Sequence, residues 1–327
     1  MAKFERIRKS IKNSRLDRKF CSREEANATV YEIFPSGCRA MLDGASELTT
    51  CVYRRATLLS PQSDVNARKE RTPVCVGDRV EVVLQGSSGV VQRVAPRINE
   101  LSRVAPGREK SHMHVLVANI DLLCIVTSVH EPEFSPGIVD RYLIAAESQG
   151  IETALVVNKA DLLREGDEQL WNIYKELGYR VELVSASQGD TESVEHLRTY
   201  MHAKKVAFSG HSGVGKTSLL SLLVGRKTGE VGSVNESSGK GRHTTTQAMV
   251  VWSSEESLWI DTPGVRSFGL ADIPPEELKD YFRELKDLRC ADPFCLHLEG
   301  TEGCVAKALP RVESYRRIYH SLMEGEY

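Results

Sequence analysis

Gly210-His211-Ser212-Gly213-Val214-Gly215-Lys216-Thr217, followed by Ser218, is the stretch whose reading decides the fold. It fits G-x-x-x-x-G-K-[ST] in full. It also sits in the context that the motif requires, after an apolar strand-like segment (206–208) and before an apolar helical one (216–224). Glycines let successive backbone N–H groups converge on phosphate oxygens, and the start of a helix adds a partial positive charge. Lys216 is expected to reach the β- and γ-phosphates, and the Thr217 hydroxyl to bind Mg²⁺. From residue 114 onward, strand-like and helix-like segments alternate: 118–126, 139–149, 153–157, 167–177, 181–184, 191–202, then the loop itself. Alternation of this kind implies βαβ units and a mostly parallel sheet covered by helices.

A phosphate loop does not choose the base. Asn158-Lys159-Ala160-Asp161 does, at the end of the apolar segment 155–157, where α/β folds place their ligands. The Asp161 carboxylate can accept from guanine N1–H and the exocyclic amine, whereas adenine offers no donors there. An unpaired buried polar group costs about 1–3 kcal/mol, enough to prefer GTP over ATP. Lys159 can lay its stem over the base, and Asn158 holds the loop. Ser185-Ala186-Ser187 follows the next strand-like segment, where the Ala186 N–H is expected to meet guanine O6. Asp261-Thr262-Pro263-Gly264 ends another apolar segment, 258–260. Asp261 is expected to hold Mg²⁺ through water, and the Gly264 N–H to sense the γ-phosphate. Between them, 225–243 is rich in glycine, serine and charge and ends in Gly241-Arg242-His243-Thr244-Thr245-Thr246. Such a loop cannot pack a core and is expected to be ordered by ligand; Thr245 is the expected further Mg²⁺ ligand. Val265 stands where many GTPases have a water-positioning glutamine. Slow intrinsic hydrolysis follows, with His243 as the candidate catalytic residue; packing or RNA contact is its alternative role.

The motif order is unusual. The guanine motifs at 158 and 185 precede the phosphate motifs at 210, 244 and 261. A circular permutation preserves spatial neighbours, with 191–205 as the joining helix and turn.

The remaining chain divides further. Residues 1–23 carry nine bases against Glu5 and Asp17, about +7, so the rest carries −9 of the net −2. A basic arm on an acidic body suggests a polyanionic partner. Residues 26–97 hold five short β-rich pieces (28–34, 38–42, 56–59, 79–84, 89–94) separated by turn residues. They suit a small barrel of OB type, with an SH3-like barrel as the alternative. Helices are expected at 275–288 and 311–323. Cys290, Cys295, His297 and Cys304 give three thiolates and an imidazole in a short span. That set suits structural zinc with no open position. No run approaches the roughly 18 apolar residues that a membrane span needs, and no secretory signal is read at the N-terminus; a cytoplasmic location is expected.

The chain closely resembles the circularly permuted GTPases that assist small ribosomal subunit assembly, the RsgA or YjeQ family. The resemblance covers about residues 26–308. It rests on Asn99-Glu100-Leu101-Ser102-Arg103, Asp140-Arg141-Tyr142-Leu143, the permuted order, 241–246 and the Cys/His cluster, whose last spacing is one residue longer than usual. It implies an N-terminal OB-fold barrel, a central permuted GTPase α/β domain and a C-terminal zinc domain, which with the basic tail (1–25) divide the chain at 26–105, 106–270 and, helical, 271–327. The partners it implies are GTP or GDP and the small ribosomal subunit with its rRNA; a monomer is expected. Two other classes fit parts of the chain. The intact Lys216, Thr217 and Asp261 speak against a non-enzymatic RNA scaffold, and Asp161 against an ATP-dependent kinase. A permuted GTPase of the large subunit is a nearer alternative, which the barrel and Cys₃His cluster disfavour.

Overall fold

The computed structural model describes residues 20–53, 74–104, 113–225, 248–254, 256–262, 268–270 and 273–325. The expected strand at 56–59, most of the basic tail and the stretch 241–246 lie outside the described residues.

The first unit is a closed barrel of β1 (Ala28–Phe34), β2 (Gly37–Leu42), β3 (Leu48–Tyr53), β4 (Arg79–Gln85) and β5 (Ser88–Val94), in the order β1-β2-β3-β5-β4. β3 and β5 run parallel, while β1 closes antiparallel on β4. That is OB-fold connectivity. Alternate residues point inward, so Val30, Ala40, Cys51, Val80 and Val91 fill the interior. β3, rich in threonine, did not stand out in the sequence. Residues 20–25, read as the end of the tail, are laid on the barrel: Phe20 bridges to Val94, Cys21 and Ala26 are buried, and Arg23 donates to the Asn119 side chain at 3.1 Å.

The segment 118–126, expected as one strand, is not continuous. It is split by Asn119, whose positive φ of 56° turns the chain. β6 (Glu100–Val104) and β7 (Met113–Ala118) form a separate antiparallel hairpin, so the expected boundary at 105/106 falls between its two strands. β8 (Leu122–Ser128) then enters a six-stranded sheet with β9 (Glu152–Asn158), β10 (Arg180–Val184), β11 (Lys205–Gly210), β12 (Met249–Ser253) and β13 (Leu258–Asp261). The order is β10-β9-β8-β11-β13-β12, parallel throughout except for the edge strand β12. Every residue of β8 is buried, as a central parallel strand requires. Its side chains alternate: Leu123 and Ile125 join one core with α1 (Pro136–Gln149) and α2 (Gln169–Glu176). Leu122, Cys124 and Val126 join the other with α3 (Thr191–Met201) and α4 (Lys216–Val224).

The C-terminal part packs on the α1 side. The helix expected at 275–288 is broken. A 3-10 turn (Pro275–Tyr281) and the short α5 (Arg283–Lys286) meet at Phe282, which is extended at φ −106°, ψ 111°. Phe282 is fully buried edge-on against Tyr315 of α6 (Val312–Met323), with centroids 5.3 Å apart, so burial of this ring overrides helix continuity.

Candidate functional site: a nucleotide pocket and a Cys/His cluster

β11 delivers the phosphate loop. A Cβ on Gly210 would lie 2.3 Å from the Val126 carbonyl oxygen, so only glycine lets β11 leave the sheet this close to β8. Gly215 has φ +84°, and a Cβ there would lie 2.3 Å from Asn158 Nδ2. α4 starts at Lys216, which leaves its first N–H groups at the loop.

Asn158 ends β9 and is buried. Its Nδ2 donates to the Val214 carbonyl at 2.9 Å, and its Oδ1 accepts from the Ala186 N–H at 3.1 Å. One carboxamide thus joins the phosphate loop, the Asn158–Asp161 stretch and the Ser185-Ala186 loop that follows β10. Lys159 adopts the left-handed conformation at φ 60°, and its Nζ donates to the Glu131 carbonyl. Asp161 lies exposed in a 3-10 turn (Ala160–Leu162).

On the other side of the loop, Thr262 donates through both N (3.0 Å) and Oγ1 (2.8 Å) to the Phe208 carbonyl. This pins the end of β13 beside β11 and sets Asp261 against Lys216. Lys216 Nζ bonds to the Asp261 carboxylate and, at 2.7 Å, to the Thr262 carbonyl. Burial raises the Asp261 pKa, and the Lys216 ammonium pulls it back. Thr217 and Ser218 are exposed at the start of α4. His211, Ser212 and Gly213 form the turn between. His243, Thr245 and Gly264 lie outside the described residues.

The sequence reading missed a brace beside the Asn158–Asp161 loop. His130 contacts Glu133 through Nδ1 and Asp167 through Nε2, both at 2.8 Å. Asp167 also accepts from the Arg164 N–H at 2.8 Å, and the Val129 N–H donates to the Asn158 carbonyl at 3.1 Å. His130 therefore ties the loop after β8 to the chain just beyond Asp161. The cue was a histidine beside two acids, Glu131 and Glu133, directly after a buried strand.

Cys290, Cys295, His297 and Cys304 converge, with all their ligand atoms within 4.8 Å of one another. His297 Nδ1 lies 3.5 Å from the Cys290 sulfur and 3.6 Å from those of Cys295 and Cys304. The Cys290 and Cys304 sulfurs are 4.0 Å apart. A tetrahedral zinc with Zn–S of about 2.3 Å and Zn–N of about 2.0–2.1 Å sets S···N at about 3.6 Å and S···S at about 3.8 Å. The donors fit such an ion in chemistry and spacing, so the cluster can hold zinc. The longer loop before Cys304 closes without displacing it. α6 fixes the turn: Tyr315 donates to the Leu296 carbonyl at 2.7 Å, and Arg316 to the His297 carbonyl at 3.2 Å.

A phosphate loop, an Asn-Lys-x-Asp loop and an Asp-Thr strand end, gathered on one edge of a parallel sheet, define a P-loop nucleotide-binding protein of GTPase type with its motifs permuted. Comparison with known proteins narrows this. A sequence model of the RsgA GTPase family matches residues 94–271, and the chain belongs to that family of GTPases. It is 38% identical over 281 residues to the small ribosomal subunit biogenesis GTPase RsgA of Chlorobaculum parvum, covering 80% of this chain and 89% of that one. The protein of the same name from Haemophilus influenzae is 36% identical over 278 residues, covering 79% and 78%. The crystal structure of YjeQ from Thermotoga maritima superposes with a TM-score of 0.69 at 30% identity, over 91% of this chain and 98% of that one. That of YloQ, a circularly permuted GTPase, gives 0.65 at 22% identity, over 91% and 95%, and shares the fold.

Proposed function

We propose that this chain hydrolyses GTP to GDP and phosphate as a late assembly factor of the small ribosomal subunit, holding rRNA in a nucleotide-dependent way. The observation that supports GTP as the substrate is the Asn158 carboxamide, which hydrogen-bonds to both the phosphate loop and the Ser185-Ala186 loop. In this reading Asp161, Lys159 and the Ala186 N–H recognise guanine, with Asn158 and Ser185 shaping their loops. The backbone from Gly210 to Ser218 and the Lys216 ammonium grip the phosphates, and Gly264 meets the γ-phosphate. Mg²⁺, held by Thr217, Thr245 and, through water, Asp261, would neutralise charge that develops on the phosphates. His243 positions the attacking water, and Val265 leaves intrinsic turnover slow. Zinc on Cys290, Cys295, His297 and Cys304 is structural.

The relatives' names support the ribosomal assignment, and the OB-type barrel supports RNA as the surface bound. Among the described residues no helix is long and apolar enough to cross a membrane. The test is GTP turnover with purified small subunits, large subunits and neither. Stimulation by small subunits alone is expected; equal rates in all three would refute the assignment. Tighter subunit binding with a non-hydrolysable GTP analogue than with GDP is expected, and equal affinity would remove the switch.

A further inference from the structure

Beside the phosphate loop lies a second opening, which shares His211 with that loop. It is an open cleft of about 460 Å³ between the start of α1, one face of α6 and the phosphate loop. Its polar lining is Ser135, Arg141, His211, Ser314 and Arg317. No carboxylate is among its lining residues, although the chain outside the tail is acidic. Arg141 donates to Ser321 Oγ at 2.9 Å, and Arg317 Nε to the Glu313 carbonyl at 3.3 Å. The Glu313 carboxylate is engaged by Arg316 at 2.7 Å. Among the described residues, neither Arg141 nor Arg317 has a carboxylate partner. Burial lowers the Arg141 pKa, as expected of a guanidinium that sheds water without gaining a counter-charge. His211 is anchored through Nδ1 to the Ser212 carbonyl at 2.9 Å, which leaves Nε2 for another partner. An adjoining apolar cavity of about 300 Å³ shares Ser135, Ile138 and His211; its one acid, Glu133, bonds His130.

Two guanidiniums lining one cleft that holds no carboxylate favour an anion, and each can bind phosphate oxygens bidentately. The cleft is open and Arg317 is exposed, so the opening suits a phosphate carried on a polymer better than an enclosed small anion. We infer that this cleft takes a backbone phosphate of RNA between Arg141 and Arg317, and that His211 registers its occupation at the phosphate loop. The inference rests on the ribosomal reading above and specifies where RNA contact acts on the GTP site. The cleft borders α1 of the nucleotide sheet, α6 of the C-terminal part and the phosphate loop, so RNA seated there would lie against all three.

The experiment compares full-length wild type with Arg317→Glu, Arg317→Lys and Arg141→Lys. It measures basal turnover, turnover with small subunits, and affinity for a short single-stranded RNA across a salt series. Arg317→Glu is expected to keep basal turnover, lose about tenfold of the stimulation, and lower the salt slope by about one ion. Arg317→Lys should retain most of both, because a charge remains. Unchanged stimulation and an unchanged salt slope in Arg317→Glu would overturn the inference. So would full competition by millimolar inorganic phosphate that Arg317→Glu abolishes, because the site would then serve a free anion. If small subunits fail to bind or stimulate wild type, the ribosomal reading falls; the RNA arm still decides the cleft, with equal affinity of wild type and Arg317→Glu counting against it.

Discussion

Asn158 makes two hydrogen bonds to two different loops, and alanine there would orphan the Val214 carbonyl and the Ala186 N–H together. Each unsatisfied buried group costs about 1–3 kcal/mol. Asn158→Ala is therefore expected to weaken GDP binding about 10- to 100-fold by calorimetry, with the fold retained; a Kd within threefold of wild type would contradict the bridging role. His130 lends itself to a pH test. Glu133 and then Asp167 hold its pKa above the ordinary histidine value. A raised folded-state pKa means that its stabilisation is complete below about pH 6.5 and fades as pH climbs through the raised value. The melting temperature lost on His130→Ala should thus be larger at about pH 6 than at about pH 8.5, and a loss independent of pH would exclude the charged brace. The motif residues were legible because local backbone demands fix them: Gly215 adopts φ +84° and Lys216 opens a helix. His130 was not, because its partner Asp167 is set by tertiary packing.

Elements were legible where period and length agreed. β1 and α4 fall where the sequence places them, whereas the run through β7 and β8 reads as one apolar stretch. Asn119 breaks it because its side chain accepts from the Ile98 N–H and donates to the Gly77 carbonyl, contacts made with residues far back in the chain. The tie between α1 and the C-terminal part was equally hidden. Asp140, read only as part of a family signature, is fully buried and accepts from Arg311 at 3.0 Å and from Tyr174 Oη at 3.1 Å. Arg311 also grips Glu284 with two bonds of 2.7 and 2.5 Å. Burial raises the Asp140 pKa while Arg311 opposes it, so removing the guanidinium would strand two buried carboxylates. Arg311→Ala is expected to lower unfolding stability by about 3–5 kcal/mol in urea titrations. Arg311→Met, which keeps packing but not charge, should be nearly as damaging; a loss under about 1 kcal/mol in either would show the tie to be dispensable.

At the scale of the whole molecule, the buried Cys295 and Cys304 belong to the same apolar core as α1, β8 and α6. The Cys/His cluster is therefore not a detached appendage. Elemental analysis should find one zinc per chain, and Cys304→Ser should abolish it. Because metal-binding energy of such clusters is folding energy, zinc removal is expected to lower the melting temperature of the entire chain. An unchanged melt after chelation would show the cluster to be structurally idle. The sheet order carries a last consequence. β8, β9 and β10 are laid outward from the middle in one direction, then β11, β13 and β12 in the other. The nucleotide domain is thus two contiguous halves of sequence with a seam where Val206–Gly210 lies along Leu122–Val126. The Asn158–Asp161 and Ser185-Ala186 loops belong to the earlier half and the phosphate loop to the later one, so GTP bound as proposed would act as a stitch across that seam. The two pieces of a chain severed between Ala186 and Lys205 should therefore associate more tightly with GDP present than without it, and equal association would contradict the stitch.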